Sequence, residues 1–422
     1  MNILYAEIFW MMDKALLYFS FALAGVIFIY VVVKARAQEQ HQKMLADLQT
    51  LIQTLDTVSP KTVHDACRPF IEKTSFRRFF EFTKSIESIF PGNPEYFLKD
   101  CVADSRKIKE ALKAAARSRN KWRRIESIIV VGYTNPSSAL AVLKKNLSDT
   151  DEDIVYFSMV AVSKIHTRES IAILFNCLSS RRFSGYRIVS LLEQFPADMA
   201  DEFLHAVSHE DSLVRFWALK LLGKFKPAQC AQTVEKLVTD SSPDVRAAAC
   251  ECLGIVGAQS SVSVILEVLD DSVWFVRMHA VRALYAISGA GCVPHVLSLI
   301  NDNSWPVREE IKKIMSKNIE ASLSYIETCL TVSDEMAKKY CIDALIDSGY
   351  VPTMLKDTLC DDTVRTSRAQ RLLELLVRSG IYFGLKKSLD DFPSDERGRL
   401  IDVVRKFDAR LADCMNTVYT TS

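Results

Sequence analysis

Residues 211–225, 242–256, 273–287 and 304–318 read DSLVRFWALKLLGKF, SPDVRAAACECLGIV, VWFVRMHAVRALYAI and SWPVREEIKKIMSKN. Each stretch contains a Val-Arg pair followed by apolar residues that recur every three or four positions, which is the pattern of an amphipathic helix. The four arginines are Arg215, Arg246, Arg277 and Arg308, and the gap between successive ones is the same each time. A fixed period of about 31 residues predicts an array of helical hairpins, none of which buries its apolar face alone.

The same pattern extends in both directions from these four stretches, in a more degenerate form. Upstream units begin at Trp122, Ile154 and Gly185, and downstream units begin at Lys339, Arg368 and Arg397. The spacing therefore predicts about ten hairpins between roughly residue 120 and the C-terminus. The predicted fold class is all-α, an α-solenoid of helical hairpins with a period of about 31 residues.

Residues 264–287, VILEVLDDSVWFVRMHAVRALYAI, resemble HEAT repeats, most closely the short bacterial HEAT-like repeats of the phycobilisome-lyase type. The resemblance rests on a helix ending in Leu, then Asp, a tight loop, Val-Arg, and a second helix with Ala and Leu. It implies that the aspartates and arginines of successive units bond along the stack and join neighbouring loops. The residues of this expected ladder are Asp240, Arg246, Asp271, Arg277, Asp302 and Arg308. It also matches Trp274 and Trp305 to a loop position, where we expect both to pack.

An apolar stretch at the N-terminus, residues 15–33, contains no charged side chain (ALLYFSFALAGVIFIYVVV). As a helix it would be about 28 Å long, close to the hydrocarbon thickness of a bilayer. The alternative is a cleaved signal peptide, because Ala35-Arg36-Ala37 resembles a cleavage site. However, the preceding segment is not basic, and the apolar stretch is long for a signal. We therefore expect an uncleaved transmembrane anchor.

The charges that flank this span predict its orientation. Lys34, Arg36 and Lys43 follow it with only Glu39 against them, so the positive-inside rule places the N-terminus outside and the repeats in the cytoplasm. Eleven scattered cysteines without a CxxC pair also favour a reducing compartment. The location expected is a bacterial inner membrane. The predicted domains are 1–35 with the anchor, 36–118 as a helical juxtamembrane arm with candidate capping helices, and 119–422 as the repeat solenoid.

The second helices of such a solenoid line its concave side, and positions one, two and five after each arginine should face that groove. The net charge of the chain is +1, and the groove positions mix apolar and alternately charged residues. That mixture predicts a protein-binding groove, since a nucleic-acid track would need repeated Lys and Arg. Trp217 is the anchor candidate, with packing against the neighbouring repeat as the alternative. The candidate groove residues are Phe216, Trp217, Lys220, Met278, His279 and Arg282.

A basic segment, RKIKEALKAAARSRNKWRR at residues 106–124, forms a second candidate surface. It contains one acidic residue, Glu110. We expect contact with anionic lipid headgroups or with an acidic partner beside the membrane, the alternative being a solvated helix face. The basic residues are Arg106, Lys107, Lys109, Lys113, Arg117, Arg119, Lys121, Arg123 and Arg124.

Motifs for catalysis are absent from the sequence, which contains no GxGxxG, Walker, HExxH or GxSxG pattern. His205 and His209 have helical i, i+4 spacing but lack a nearby third metal ligand. We therefore expect no catalytic residue, cofactor or metal. The function expected is a non-enzymatic scaffold or adaptor that binds a protein at a membrane. The alternatives are a regulatory subunit of a transporter or glycosyltransferase complex and, third, a lyase-type enzyme.

Overall fold

The computed structural model describes residues 105–420, apart from positions 228, 333, 380 and 381, together with isolated positions nearer the N-terminus. The isolated positions are 31–36, 38, 39, 42, 43, 46, 75–77, 79, 80 and 83. Within these residues the chain is all-α, and none of them lies in a strand. The chain divides into two compact units, residues 1–165 and residues 166–422.

The described part of the first unit, from residue 105 onward, contains two helical hairpins. Their helices are α1 (Arg106–Arg117), α2 (Lys121–Thr134), α3 (Ala139–Asn146) and α4 (Glu152–Ser163). Helix α2 packs against α4, and Gly132 makes the approach close, because a Cβ built there would lie 2.7 Å from Ala161 Cα. Asp151 caps α4 by accepting hydrogen bonds from the main-chain N–H groups of Asp153 and Ile154.

The second unit continues the alternation of first and second helices. Its helices are α5 (Arg168–Ser179), α6 (Gly185–Leu192), α7 (Phe203–Ala206), α8 (Ser212–Phe225), α9 (Ala231–Glu235), α10 (Pro243–Val256), α11 (Val262–Glu267), α12 (Trp274–Ser288), α13 (Val293–Val296), α14 (Trp305–Lys317), α15 (Ile319–Val332), α16 (Glu335–Asp347), α17 (Tyr350–Asp357), α18 (Thr363–Arg378), α19 (Tyr382–Leu389), α20 (Ser394–Arg405) and α21 (Ala409–Thr420). Short 3₁₀ helices complete several of the first helices, at Ala197–Glu202, Lys236–Thr239, Gln259–Ser261, Val268–Asp270, Gly289–Cys292 and Leu297–Asn301.

The predicted units coincide with second helices throughout the described residues. The degenerate starts proposed from spacing fall in α2, α4, α6, α16, α18 and α20, and the four specific stretches form α8, α10, α12 and α14. The prediction of an all-α, HEAT-like solenoid fold is therefore confirmed. The first hairpin begins with α1 at Arg106, ahead of the boundary predicted at residue 119.

The core of the second unit lies between second helices that pack side by side. Helix α8 packs on α10, α10 on α12, α12 on α14, and α14 on α16. The valine of each Val-Arg pair is fully buried: Val214, Val245, Val276 and Val307 all have 0% exposure. The constant period therefore returns the same side chain to the same interface, and burial of each such valine contributes about 1.5–3 kcal/mol.

The predicted span at 15–33 lies outside the described residues, except for positions 31–33, which are helical. Most of the predicted juxtamembrane arm at 36–118, up to residue 104, falls outside them as well. Within the described residues, only Trp274–Asn301 is long and apolar enough to cross a membrane by length and composition. This stretch carries Arg277 and the buried Val276 and Leu284, so we assign it to the repeat core.

Candidate functional site

Three arginines of the second unit form a ladder with aspartates from the loop of the following hairpin. In the most deeply buried pair, Arg277 Nε and Nη2 donate to the two carboxylate oxygens of Asp302, both over 2.7 Å. Arg277 Nη1 also donates to the main-chain oxygen of Asp271 over 2.6 Å. Each guanidinium therefore joins its own loop to the loop of the next hairpin. The three pairs have the same separation in sequence and are Arg215–Asp240, Arg246–Asp271 and Arg277–Asp302.

The first unit contains a pair of the same kind, which corrects the assignment of Arg124 to the basic surface. Arg124 Nη2 lies 2.8 Å from the Oδ2 oxygen of Asp149, and the two side chains are only 18% and 22% exposed. The same guanidinium donates from Nε to the main-chain oxygen of Ala115 over 3.1 Å. Arg124 and Asp149 have the same separation in sequence as the ladder pairs. That separation alone could have indicated the pairing. The basic composition of residues 106–124 instead led to Arg124 being grouped with the exposed basic residues.

Arg308 occupies the next ladder position, but its environment is different. The position that would hold the paired aspartate is Ser333. Arg308 Nη1 donates to the main-chain oxygen of Asp302 over 2.5 Å, and the guanidinium carbon lies 5.3 Å from the ring centroid of Tyr340. Its Nε is buried and has no acceptor among the described residues. Arg308 is therefore joined to its own loop without a carboxylate partner in that part of the chain.

The ladder keeps its carboxylates ionised. Partial burial is the largest single influence on Asp240, Asp271 and Asp302 and would raise each pKa. The hydrogen bonds from the paired arginines, a main-chain N–H donor and the arginine charges together outweigh it, so each pKa lies below its usual value. Each carboxylate also accepts a hydrogen bond from a main-chain N–H of its own loop, donated by Ser242, Val273 and Ser304 respectively. These groups are fully engaged in holding the loops, which favours a structural role.

The predicted groove residues of the first specific repeat lie in an aromatic cluster. Phe216 and Trp217 of α8 are half-buried, and their ring centroids are 5.1 Å apart in an edge-to-face arrangement. Tyr186 of α6 contributes a third ring, 4.8 Å from Trp217, and it is 76% exposed. The cluster borders a cavity of about 470 Å³ whose other lining residues include Lys220 and Glu193. Tyr186 was not among the sequence candidates, because its unit lacks the Val-Arg pair.

Trp217 packs against the preceding hairpin as well as bordering this cavity. Its Nε1 lies over Gly185, where an added Cβ would be only 2.5 Å away. The same Nε1 is buried and has no hydrogen-bond acceptor among the described residues. Trp217 is therefore held in place by α6, as the packing alternative predicts, and its role as a binding anchor stays a prediction.

Of the other groove candidates, Lys220 lies in α8, and Met278, His279 and Arg282 lie two hairpins along in α12. Lys220 and Arg282 are both paired with glutamates. Lys220 Nζ is 2.5 Å from a carboxylate oxygen of Glu251, which also lies 3.7 Å from His279 Nδ1. Arg282 pairs with Glu310 over 2.8 Å, and Met278 is half-buried. Burial lowers the pKa of His279, although Glu251 opposes the effect. The small Ala247 and Ala248 separate the two groups, with 6% and 2% exposure.

The basic surface is concentrated on one side of α1. Its exposed residues there are Arg106, Lys109, Lys113 and Arg117, followed by Arg119 and Arg123. Lys107 is half-buried, and Lys121 pairs with Asp151 and Asp153 over 2.8 and 2.6 Å. Trp122, which is 69% exposed, lies among these residues.

The two loop tryptophans, both expected to pack, do so only in part, and Trp274 makes an edge-to-face contact with Phe275 over 5.7 Å between ring centroids. Trp274 is 43% exposed and Trp305 is 65% exposed. Both are the first residues of their helices, α12 and α14, and the side chain there lies outside the interface formed by the buried valines.

The histidine pair and the thiols show the placement of the remaining reactive groups. His205 and His209 line a cavity of about 330 Å³ together with Arg168 and Glu202. His209 Nδ1 accepts a hydrogen bond from the main-chain N–H of Asp211. Within the described residues no three His, Cys, Asp or Glu side chains are placed to hold a metal ion.

Six described cysteines are buried, and burial raises the pKa of the Cys250 thiol to about 12.

A family model for HEAT repeats matches residues 200–285 and, one unit further on, residues 231–316. These residues contain the first three specific stretches and most of the fourth, and they are HEAT repeats. None of the curated proteins matches the sequence.

Solved structures with similar folds share little sequence with this chain. An engineered protein is 16% identical over 77% of this chain and 98% of its own, with a TM-score of 0.30. The complex of CpcE and CpcF of phycocyanin lyase from Nostoc sp. PCC7120 is 14% identical over 63% and 94%, with a TM-score of 0.28. The Kap95:Nup1 complex is 11% identical over 84% and 56%, with a TM-score of 0.41. None of these likenesses indicates what this chain binds.

Proposed function

We propose that the protein is a non-enzymatic scaffold that binds a protein partner on the second-helix face of its repeats. The observation that carries the proposal is the aromatic cluster beside the cavity of about 470 Å³, where Tyr186 is 76% exposed. Aromatic side chains that border a cavity are typical anchors of protein interfaces, because they bury a large area with few rotatable bonds. The groove residues proposed are Phe216, Trp217, Lys220, Met278, His279 and Arg282.

The scaffold is proposed to be tethered to a bacterial inner membrane with its repeats in the cytoplasm. The support is the uncharged stretch at 15–33 and the positive residues that follow it. The basic side of α1 adds to it, since exposed lysines and arginines beside an exposed tryptophan suit the interface of an anionic bilayer. A reporter that is active only outside the cytoplasm, fused at the C-terminus, should be silent; strong activity would refute this orientation.

The groove is tested by cross-linking and purifying the full chain from detergent-solubilised membranes and identifying the partner by mass spectrometry. Replacement of both Trp217 and Met278 by Ser should reduce partner recovery sharply, because one aromatic anchor contributes about 2 kcal/mol, or roughly thirtyfold in affinity. Since Trp217 also packs against α6, thermal unfolding must be measured in parallel. Tyr186→Ala tests the cavity with less loss of packing, and Trp122→Ser is a matched aromatic control.

The same purification distinguishes the alternatives. An exchangeable soluble partner supports the scaffold, whereas a stoichiometric membrane protein, such as a transporter or glycosyltransferase, supports a regulatory subunit. Undiminished recovery with both the double variant and Tyr186→Ala would exclude the groove as the binding site.

A further inference from the structure

Three large apolar side chains form an exposed row along the loop edge of the second unit. Trp274, Trp305 and Met336 lie one repeat period apart, at the first or second position of α12, α14 and α16. Their exposed fractions are 43%, 65% and 50%. Because these helices pack side by side, the row has a spacing of about 8–10 Å. We refer to these three residues as the edge row.

The repeat core does not account for the edge row. The valines that follow in the first turn of each helix, Val276 and Val307, fill the helix interface with 0% exposure. The loops are held by the Arg–Asp ladder, which uses polar groups alone. Exposed aromatic and thioether side chains that recur along one edge are unfavourable in water, and exposed apolar surfaces of this kind mark interaction sites.

The loops around the edge row carry charge of one sign. Residues 240–245, 268–276, 299–307, 330–336 and 359–364 contain nine Asp and Glu and no Lys, Arg or His. Three of the nine are the ladder aspartates. The other six are exposed: Asp244, Asp270, Asp334, Glu335, Asp361 and Asp362. Two of these lie near a cation of the following helix, since Glu335 is 2.9 Å from Lys338 and Asp362 is 3.7 Å from Arg365. The loops themselves remain acidic.

We propose that the edge row is the docking surface for a cationic, amphipathic segment of a partner protein. Arginine or lysine side chains of that segment would lie over the tryptophan rings, where the negative face of the ring attracts a cation, with the acidic loops on either side. The acidic surroundings disfavour an anionic bilayer as the occupant. A helix that repeats every seven residues advances about 10.5 Å per repeat, slightly more than the spacing of the edge row.

This surface is distinct from the groove around Trp217, so the two proposals succeed or fail separately. The residues of the edge row lie at the N-terminal ends of their helices, next to the loops. None of the three lines the aromatic cavity. Variants of the edge row should leave the groove intact.

The test measures binding of a fluorescent helical peptide of about three heptads, with Leu and Arg at seven-residue intervals, to the full chain in neutral detergent. A scrambled peptide of identical composition is the probe for non-specific charge attraction. Trp274→Ser with Trp305→Ser should weaken binding of the heptad peptide at least about tenfold. Asp270→Asn with Glu335→Gln should weaken binding of the heptad peptide, and the loss should be smaller at high salt, where the charges are screened. Trp122→Ser should leave binding of the heptad peptide unchanged.

The proposal is supported if the heptad peptide binds more tightly than the scrambled one and both sets of edge variants lose that difference. Equal binding of the two peptides, or unchanged binding by the edge variants, overturns it. Two other occupants give their own signatures and would also overturn it. Binding of vesicles of phosphatidylcholine and phosphatidylglycerol that requires the tryptophans would assign the edge to lipid. Self-association that the tryptophan variants abolish would assign it to a second copy.

Discussion

Replacement of Arg277 by Ala tests the ladder, and Arg308 provides the comparison within the same chain. Both arginines follow a valine at the start of a second helix, and both donate to a main-chain oxygen of their own loop. Only Arg277 also forms the bidentate pair, with Asp302, whose side chain is 4% exposed. The two variants therefore differ in the carboxylate partner, which Arg277 alone has, and in the contact with the Tyr340 ring, which Arg308 alone has.

The expected magnitudes follow from what each change leaves behind. Without Arg277, Asp302 keeps the main-chain N–H of Ser304 as a donor but loses both guanidinium bonds in a mostly buried site. Removing one partner of such a pair costs about 3–5 kcal/mol when burial is complete, so we expect about 2–4 kcal/mol here. Arg308→Ala removes one carbonyl hydrogen bond and a cation–π contact, at about 1–2 kcal/mol.

The assay is urea unfolding of the full chain in detergent, monitored by circular dichroism. Midpoint urea concentrations are compared between variants whose dependence of the free energy of unfolding on urea concentration is the same. A double-mutant cycle of Arg277→Ala and Asp302→Ala should give a coupling of about 1.5–3 kcal/mol, since the double variant buries no unpaired charge. Arg277→Lys keeps the charge and loses the fork geometry, so it should be intermediate. Equal destabilisation by Arg277→Ala and Arg308→Ala, or a coupling near zero, would refute the argument that the bidentate pair stabilises the stack.

Two further changes have predictable directions. Gly254→Ala should lower the free energy of unfolding by about 1 kcal/mol, because its Cβ would lie 2.9 Å from the main chain at Ala283 and overpacking outweighs the gain in helix propensity. Gly398→Ala is the matched control in α20, where the Cβ has open space, and should stabilise by about 0.5–1 kcal/mol in the same urea assay. The pKa values of Asp271 and Asp302 are lowered in the folded state, so their contribution to stability is complete above the unfolded pKa, near about 3.9, and is lost as the pH falls through the folded values. Melting temperatures measured down to about pH 3 should therefore fall less steeply for Asp302→Asn than for the unchanged chain.

The repeat fold can be predicted from the sequence because the same pattern, a Val-Arg pair followed by an amphipathic helix, recurs several times. Val214, Val245, Val276 and Val307 recur with the same period, and a single helix interface explains all of them. The degenerate units were placed correctly by spacing alone, even where Tyr186 replaces the signature. Helix α1 lies before the predicted boundary at 119, in the segment expected to hold capping helices; it lacks the Val-Arg signature, although its apolar Ile108 and Ala115 are buried.

The candidate site was harder to predict, since burial of a single side chain depends on its neighbours in the next hairpin. Trp217 was expected to be an anchor or a packing residue; Gly185 of the preceding hairpin lets it pack, and the anchor role stays a prediction. Lys220 was expected to face a partner, but Glu251 pairs with it. Charge composition alone grouped Arg124 with the exposed basic residues, although its separation from Asp149, equal to that of the ladder pairs, would have indicated the pairing that the structure shows.

The ladder and the edge row are coupled through the loops that they share. Asp271 is held by Arg246 through its carboxylate and by Arg277 through its main-chain oxygen, and its Oδ1 also accepts the N–H of Val273 over 2.8 Å. Trp274 follows directly, so its main chain is fixed before any partner arrives. Binding at the edge row would then cost only the ordering of side chains, about 0.5–1.5 kcal/mol for each one immobilised, without a loop-ordering penalty. The same polar contacts that stabilise the stack therefore also make an exposed tryptophan at this position an efficient anchor.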